Sequence, residues 1–404
     1  MVRSARPLSP EFALLAACTL LDDDRLDEVA APLMHRPGFD WDRFVELGAF
    51  HGVEQVARQR LERAVPGAIP APQAAQLQQR LIRTSALAAA HAKVTCEIVA
   101  QLDSAGIPAL VLKGVALAAQ LYAPSPETRA SSDIDILVGP EQLDAADGVL
   151  RRAGLARVWP ETAPPDAARP MFLRLANVFE YGGATFGEVV ELHCRATLNP
   201  HALPVGFDEL RAASVALETG CGEVRTLAGP LLMQYLCHHL LSQPPHRLKW
   251  FGDIVRAKRL AGQSDCATYA ASYPRPLPLR AARLTDEMLR DFESAIEGAA
   301  SGEVAGRRGS RDFAWMVGMM ERGENMTVER TWSRLPLELR HLRFLLKLNP
   351  GWRAKGNELL LALADPRDAV SLRLGPRFAP LYALAGPFFA LRRFLKRGKS
   401  AADL

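Results

Sequence analysis

The chain of 404 residues contains no run of the roughly 18 apolar residues that a membrane-crossing helix needs, no internal repeat and no low-complexity tract. Its first stretch, Met1 to Pro10, is polar and lacks the apolar segment of a secretory signal. Six cysteines, at 18, 96, 194, 221, 237 and 266, form no CxxC pair and show no framework spacing. That argues against a zinc ribbon and a disulfide scaffold. They read as reduced, mostly buried thiols, and a cytoplasmic location is expected. Charge of one sign is also missing: the formal net charge is only +4. This argues against a dedicated nucleic-acid binder, and stable binding of duplex DNA is not expected. A nucleotide or the end of an RNA remains open as a substrate.

The hydrophobic fraction of 49% and charged fraction of 23% are ordinary for a globular protein, and the length suits two or three domains. Residues 10–105 carry apolar positions at helical spacing, notably Phe12 to Leu21, Trp41 to Leu61 and Ala74 to Leu102, with Gly106 as a stop. The pattern then changes. Ile107 to Leu112 predicts a strand, Val115 to Tyr122 a short helix, and Pro124 and Pro126 a loop reaching Ser132. Asp133 to Val138 alternates, with Ile134, Ile136 and Val138 on one face. Glu141 to Ala153 predicts a helix ended by Gly154, and 160–170 a Pro-rich loop. Strands follow at Val178–Tyr181 and Glu188–Cys194, joined by a loop opening with Gly182-Gly183. From Pro230 the pattern is helical again. The expected fold class is α+β: a helical N-terminal domain (1–105), an α+β core (106–225) and a helical C-terminal domain with a basic tail (226–404).

Asp133 and Asp135 are the sharpest chemical signal. At i and i+2 on a strand their carboxylates share a face, with Cα atoms ~7 Å apart. Two like charges side by side repel, and a divalent cation resolves the repulsion; hard oxygen ligands select magnesium or manganese over zinc. The plainer alternative is a pair of exposed acids on a sheet edge. The wholly apolar opposite face means that the strand is packed and its acids displayed. Upstream, Lys113-Gly114 is a strand-to-helix turn where a phosphate can approach the backbone. Downstream, Val189 to His193 puts Glu191 and His193 on one face, and a third carboxylate on a neighbouring strand would complete a two-metal site.

Lys113-Gly114, Arg129, Asp133-Ile-Asp135 and Glu191-Leu-His193 together resemble an uncharacterised bacterial nucleotidyltransferase-like family of the DNA polymerase β superfamily. The resemblance extends to Trp41-Asp42, His51-Gly52-Val53, Leu236-Cys-His-His239, His246-Arg-Leu-Lys-Trp250 and Asp253. Two departures from the wider superfamily stand out: Lys113-Gly114-Val115 in place of Gly-Ser or Gly-Gly, and a longer gap from Gly114 to Asp133. The resemblance implies a polymerase β-like mixed sheet and two-metal transfer of a nucleoside monophosphate from a nucleoside triphosphate to a hydroxyl. The acceptor is left open among a small molecule, a peptide, a protein and an RNA end. Asp133, Asp135 and Glu191 would hold magnesium, or manganese. Lys113, Gly114, Arg129, Ser132, Lys249 and Asp253 are the nucleotide-binding candidates. Surface charge or a salt bridge is the alternative for Lys113 and Arg129, and loop capping for Ser132. His193 would orient a carboxylate or water, or be a half-buried strand histidine. His239 would line the substrate cleft or be structural, since adjacent histidines on a helix point about 100° apart and a shared metal with His238 is disfavoured. The competing function is a non-catalytic nucleotide-binding or assembly protein of the same fold, possible at a membrane surface. Support for the latter is confined to the tail, Phe378 to Lys399, where an apolar run broken by Pro380 and Pro387 precedes Arg392, Arg393, Lys396, Arg397 and Lys399. A tail docked on the helical domain is the favoured alternative.

Overall fold

Ser9 begins the first helix by accepting a hydrogen bond from the Phe12 N–H, and Pro10 follows at a position where a missing N–H costs nothing. The helix it opens, α1 (Pro10–Leu20), is buried on every side. An apolar helix of that kind belongs at the centre of a helical layer. Around it pack α2 (Asp23–Met34), α3 (Trp41–His51) and α4 (Glu54–Ala64). The long α5 (Ala71–Ser104) ends at Gly106, whose positive φ supports the predicted stop. Those described are residues 7–129, 131–182, 189–243, 246–302, 310–323, 335–386 and 388–389 of a computed structural model.

Next come β1 (Ala109–Val111), α6 (Val115–Leu121), β2 (Asp133–Val138), α7 (Leu143–Arg152), β3 (Ala156–Trp159) and α8 (Arg169–Leu175). β4 (Val178–Gly182), β5 (Val189–His193), α9 (Phe207–Ala212), β6 (Val215–Glu218) and β7 (Glu223–Thr226) complete the mixed region. The remainder is helical: α10 (Gly229–Ser242), α11 (Leu248–Leu260), α12 (Cys266–Ala271), α13 (Arg280–Ser301), α14 (Arg311–Arg322), α15 (Leu335–Leu348), α16 (Trp352–Leu363) and α17 (Pro366–Leu372). The class is therefore α+β, as expected. Five strands form one mixed sheet in the order β1-β2-β5-β4-β3, and β6-β7 is a separate hairpin. β4 and β5 are antiparallel, with Glu180 opposite Glu191 and Val178 opposite His193.

Contacts divide the chain into two units, Met1–Asp135 with Leu210–Glu329, and Ile136–Glu209 with Arg330–Leu404. The division falls inside β2. In the first unit α1 packs on α11 and α13 as well as on its sequence neighbours. The β6-β7 hairpin is fastened to β1 there: the Thr226 hydroxyl donates to the Val111 carbonyl at 2.7 Å, and Val224 packs with Val111 and Ala116. In the second unit α17 packs on α8.

The four predicted strands are all present, the first trimmed to three residues. Three elements go beyond what the sequence pattern predicts. β3 is a four-residue edge strand between Gly154 and Pro160, too short for its alternation to stand out. α8 begins in the segment expected to be a Pro-rich loop, with Pro170 at the helix start, where proline is favoured. The β6-β7 hairpin is rich in charge and only partly buried, so it lacks a run of strand-forming apolar residues. Gly183, Pro387 and the basic residues from Arg392 onward lie outside the described residues.

Candidate functional site

The strand order puts β2 between β1 and β5, so the two acid-bearing strands read from the sequence are neighbours. Among the described residues, Asp135, Glu191 and His193 form a group suited to a metal ion: each offers one ligand atom, and these atoms lie within 4.8 Å of one another. Asp133 is not a member of that group. His193 Nε2 and Glu191 Oε2 are 3.1 Å apart. Glu180, paired with Glu191 on β4, is raised above the usual carboxylate range by burial and then by the Glu191 charge.

The acids are less displayed than the alternation suggested. Asp133 is half-buried, and Asp135 is fully buried, at 0% exposure. The Asp135 carboxylate is partnered there by Lys113, whose ammonium lies 2.8 Å from Oδ1. Burial alone would drive a lysine toward neutrality, but the negative charges of Asp135, Tyr235 if ionised and Asp133 outweigh it, and Lys113 is held protonated. An ion pair in a dry setting is costly to desolvate and costlier still to break on one side. Between these residues Gly114 has φ 57° and ψ −125°, a conformation that side chains disfavour, and a Cβ there would meet the Asp133 carbonyl at 3.5 Å. The glycine is thus what allows the strand-to-helix turn to close beside the acids.

Arg129 and Asp253 form a buried bidentate pair. Arg129 Nε and Nη2 donate to the two Asp253 oxygens, each at 2.9 Å. Tyr122 donates its hydroxyl to Asp253 at 2.8 Å, and Arg129 Nη1 donates to the Gly114 carbonyl at 3.4 Å. The salt-bridge alternative left open for Arg129 is the arrangement found, and it ties the loop before β2 to α11. Ser132 is exposed, whereas Ser131 Oγ donates to the Asp133 carbonyl at 3.0 Å. Lys249 is pushed down to about 8 by burial and by the Arg129 charge. His239 lies against Tyr235 at 6.0 Å in a nearly parallel stack and meets Trp250 edge-on at 4.9 Å. Burial, then the Lys113 charge, holds it neutral. His238 is buried and pushed down to about 4 by that burial.

Sequence reasoning passed over Tyr122, Tyr235 and Glu180. Glu180 was legible: Phe179 and Tyr181 alternate around it and point it to the same side as Glu191. Tyr122 carried no local signal, because its partner Asp253 arrives from α11, whereas Tyr235 stacks on His239 one turn along its own helix.

No curated protein and no solved structure matches the chain. The family profile described as "Uncharacterised nucleotidyltransferase" matches residues 37–281, which takes in α3 through the start of α13, with both aspartates, Glu191 and the Arg129–Asp253 pair. That span is more than half of the sequence, and the chain belongs to the uncharacterised nucleotidyltransferase family.

Proposed function

We propose that the protein is a divalent-metal-dependent nucleotidyltransferase with a polymerase β-like core, moving a nucleoside monophosphate from a nucleoside triphosphate to a hydroxyl acceptor and releasing pyrophosphate. The observation that carries this reading is the convergence of Asp135, Glu191 and His193 within 4.8 Å in a chain of this family. The donor set is hard, two carboxylates and one imidazole, and favours magnesium or manganese over a thiolate-loving metal. In this reading Asp135 and Glu191 are the charged ligands and His193 completes the group, with Asp133 on the same strand available to a second ion. When bound, such ions neutralise charge on the phosphates and acidify the acceptor hydroxyl.

The remaining work falls to the chain. Lys113 and Lys249 supply positive charge to the triphosphate, and Gly114 presents bare backbone beside it. Arg129 acts through position: locked on Asp253, it fixes the loop that delivers Ser131, Ser132 and Asp133. The aromatic group of His239, stacked on Tyr235 and met edge-on by Trp250, suits a base or an apolar acceptor group. Among the described residues no helix is long and apolar enough to cross a membrane, and we place the activity in the cytoplasm. One observation favours the non-catalytic alternative: the Lys113 ammonium already neutralises Asp135.

Incubation of the protein with each α-labelled nucleoside triphosphate and cell extract, in magnesium and separately in manganese, should label one acceptor fraction. Asp135→Asn should abolish the label while the protein stays folded. Nucleotide binding without any labelled product across all bases and both metals would favour the non-catalytic protein.

A further inference from the structure

The second unit holds a cavity of about 280 Å³ that the transfer reaction does not use. Arg174, Arg195, His201 and Asn357 line it beside apolar walls from Leu173 and Pro376. Arg195 makes a long side-chain contact, 3.9 Å from Nη1 to Cys194 Sγ. Its Nε and Nη2 are buried with no hydrogen-bond partner, and so is Asn357 Nδ2, in a side chain only 2% exposed. Burial holds the Arg195 guanidinium below its ordinary range, with no carboxylate among the groups that offset the burial. Glu358, the buried acid next to Asn357, accepts from Asn199 at 2.6 Å and Asn349 at 2.9 Å, so it is committed elsewhere.

A guanidinium taken out of water with two idle donors costs free energy that a bound anion recovers. Planar donors in a fork match a carboxylate or phosphate. A second cavity of about 480 Å³ shares Arg174, His201, Asn357 and Pro376 with the first. Its further walls are mainly apolar, among them Trp352, Leu360 and Ala383. Trp352 is 80% exposed, with the Arg353 guanidinium near its ring face, 5.1 Å from the centroid, an unusual place for an indole. We propose that these joined cavities bind a small organic acid, whose oxyanion head pairs with Arg195 and Asn357 Nδ2 and whose apolar body lies along Trp352 and Leu360. The head is a phosphate monoester or a carboxylate, two sources of one chemistry.

The full-length protein would be titrated with octyl phosphate, octanoate and octanol, following tryptophan fluorescence and melting temperature. One of the two acids should bind saturably, and the tighter one identifies the head. Arg195→Met should weaken that binding at least ten-fold, and Asn357→Ala should weaken it to a lesser degree. Arg195→Met should melt no lower than the parent, since it removes an unpaired buried charge. Failure of both acids to bind the parent would overturn the proposal. So would octanol binding as tightly as the better acid, or acid binding unchanged in Arg195→Met. A melting temperature lowered in Arg195→Met by more than ~5 °C, the scale of a lost structural interaction, would make Arg195 a structural residue and overturn it too.

Discussion

Replacing Asp253 by Asn tests whether the Arg129–Asp253 pair holds the loop before β2. The change keeps shape and removes charge. It leaves the Arg129 guanidinium, 3% exposed, without its counter-ion. Tyr122 keeps an oxygen to donate to, so the loss belongs to the ion pair. Breaking a buried pair from one side costs about 3–5 kcal/mol. At roughly 2–4 °C per kcal/mol for a unit of this size, the melting temperature should fall by about 6–20 °C. The assay is thermal and urea unfolding of the parent, Asp253→Asn, Arg129→Met and the double variant Arg129→Met/Asp253→Leu. The double variant should lose less than either single variant, because no lone charge stays buried. A fall of under about 2 °C in Asp253→Asn, or strictly additive losses in the double variant, would refute the reasoning and return Arg129 to the substrate.

Lys113→Met should lower stability in metal-free buffer, by exposing Asp135 to repulsion it now escapes; it should also raise the melting-temperature gain from magnesium above that of the parent, read by thermal unfolding with and without chelator. Lys249 has a folded value near 8 against its ordinary 10.5. Between those limits the unfolded chain binds more protons, so stability should rise with pH from about 8 to 10.5, by up to ~3 kcal/mol; Lys249→Met should remove that rise in unfolding curves taken across the range. His51, pushed down to about 3 by burial and by the Arg247 charge, should cost stability as pH falls from 6.5 toward 3, because only the unfolded imidazole takes up a proton; His51→Gln should flatten the acid limb of the same curves. Glu191→Gln should reduce the stabilisation that magnesium and a nucleoside triphosphate give together, measured by calorimetry.

The parts of this site written locally were legible. Alternation over 133–138 and 189–193 decides which acids share a face, and Gly114 marks a backbone turn that the structure realises at φ 57°. What was not legible depends on partners brought from afar. Arg129 reads from the sequence as a phosphate ligand, a surface charge or one half of a salt bridge, and only the arrival of Asp253 on α11, 124 positions later, supplies the partner. Lys113 carries the same ambiguity, and its pairing with Asp135 joins the end of one strand to the middle of the next. The burial of Asp135 was likewise invisible, since alternation tells which face a residue takes and not what covers it.

The charges of the first unit explain why metal and triphosphate would enter this site together. Around β2 stand Lys113, Arg129 and Lys249 against Asp133, Asp135 and Asp253. Those three cations and three acids cancel, Glu191 adds one negative charge to the metal group, and Lys113 and Arg129 are each committed to one acid. A divalent ion entering alone must compete with Lys113 for Asp135 and leaves an excess of positive charge in a desolvated place, which is unfavourable. A triphosphate entering alone meets Asp133 and Asp135 and is repelled. Together the two nearly neutralise each other, and Lys113, displaced from Asp135, has phosphate oxygens to pair with. Magnesium alone should therefore stabilise the parent little, the triphosphate alone should bind weakly, and the two should bind with positive coupling that Lys113→Met diminishes. Calorimetric titration of the nucleotide at zero and saturating magnesium measures that coupling in both proteins. Equal nucleotide affinity with and without magnesium in the parent would show that Lys113 does not exchange its partner, and that the Lys113–Asp135 pair is a fixed part of the fold.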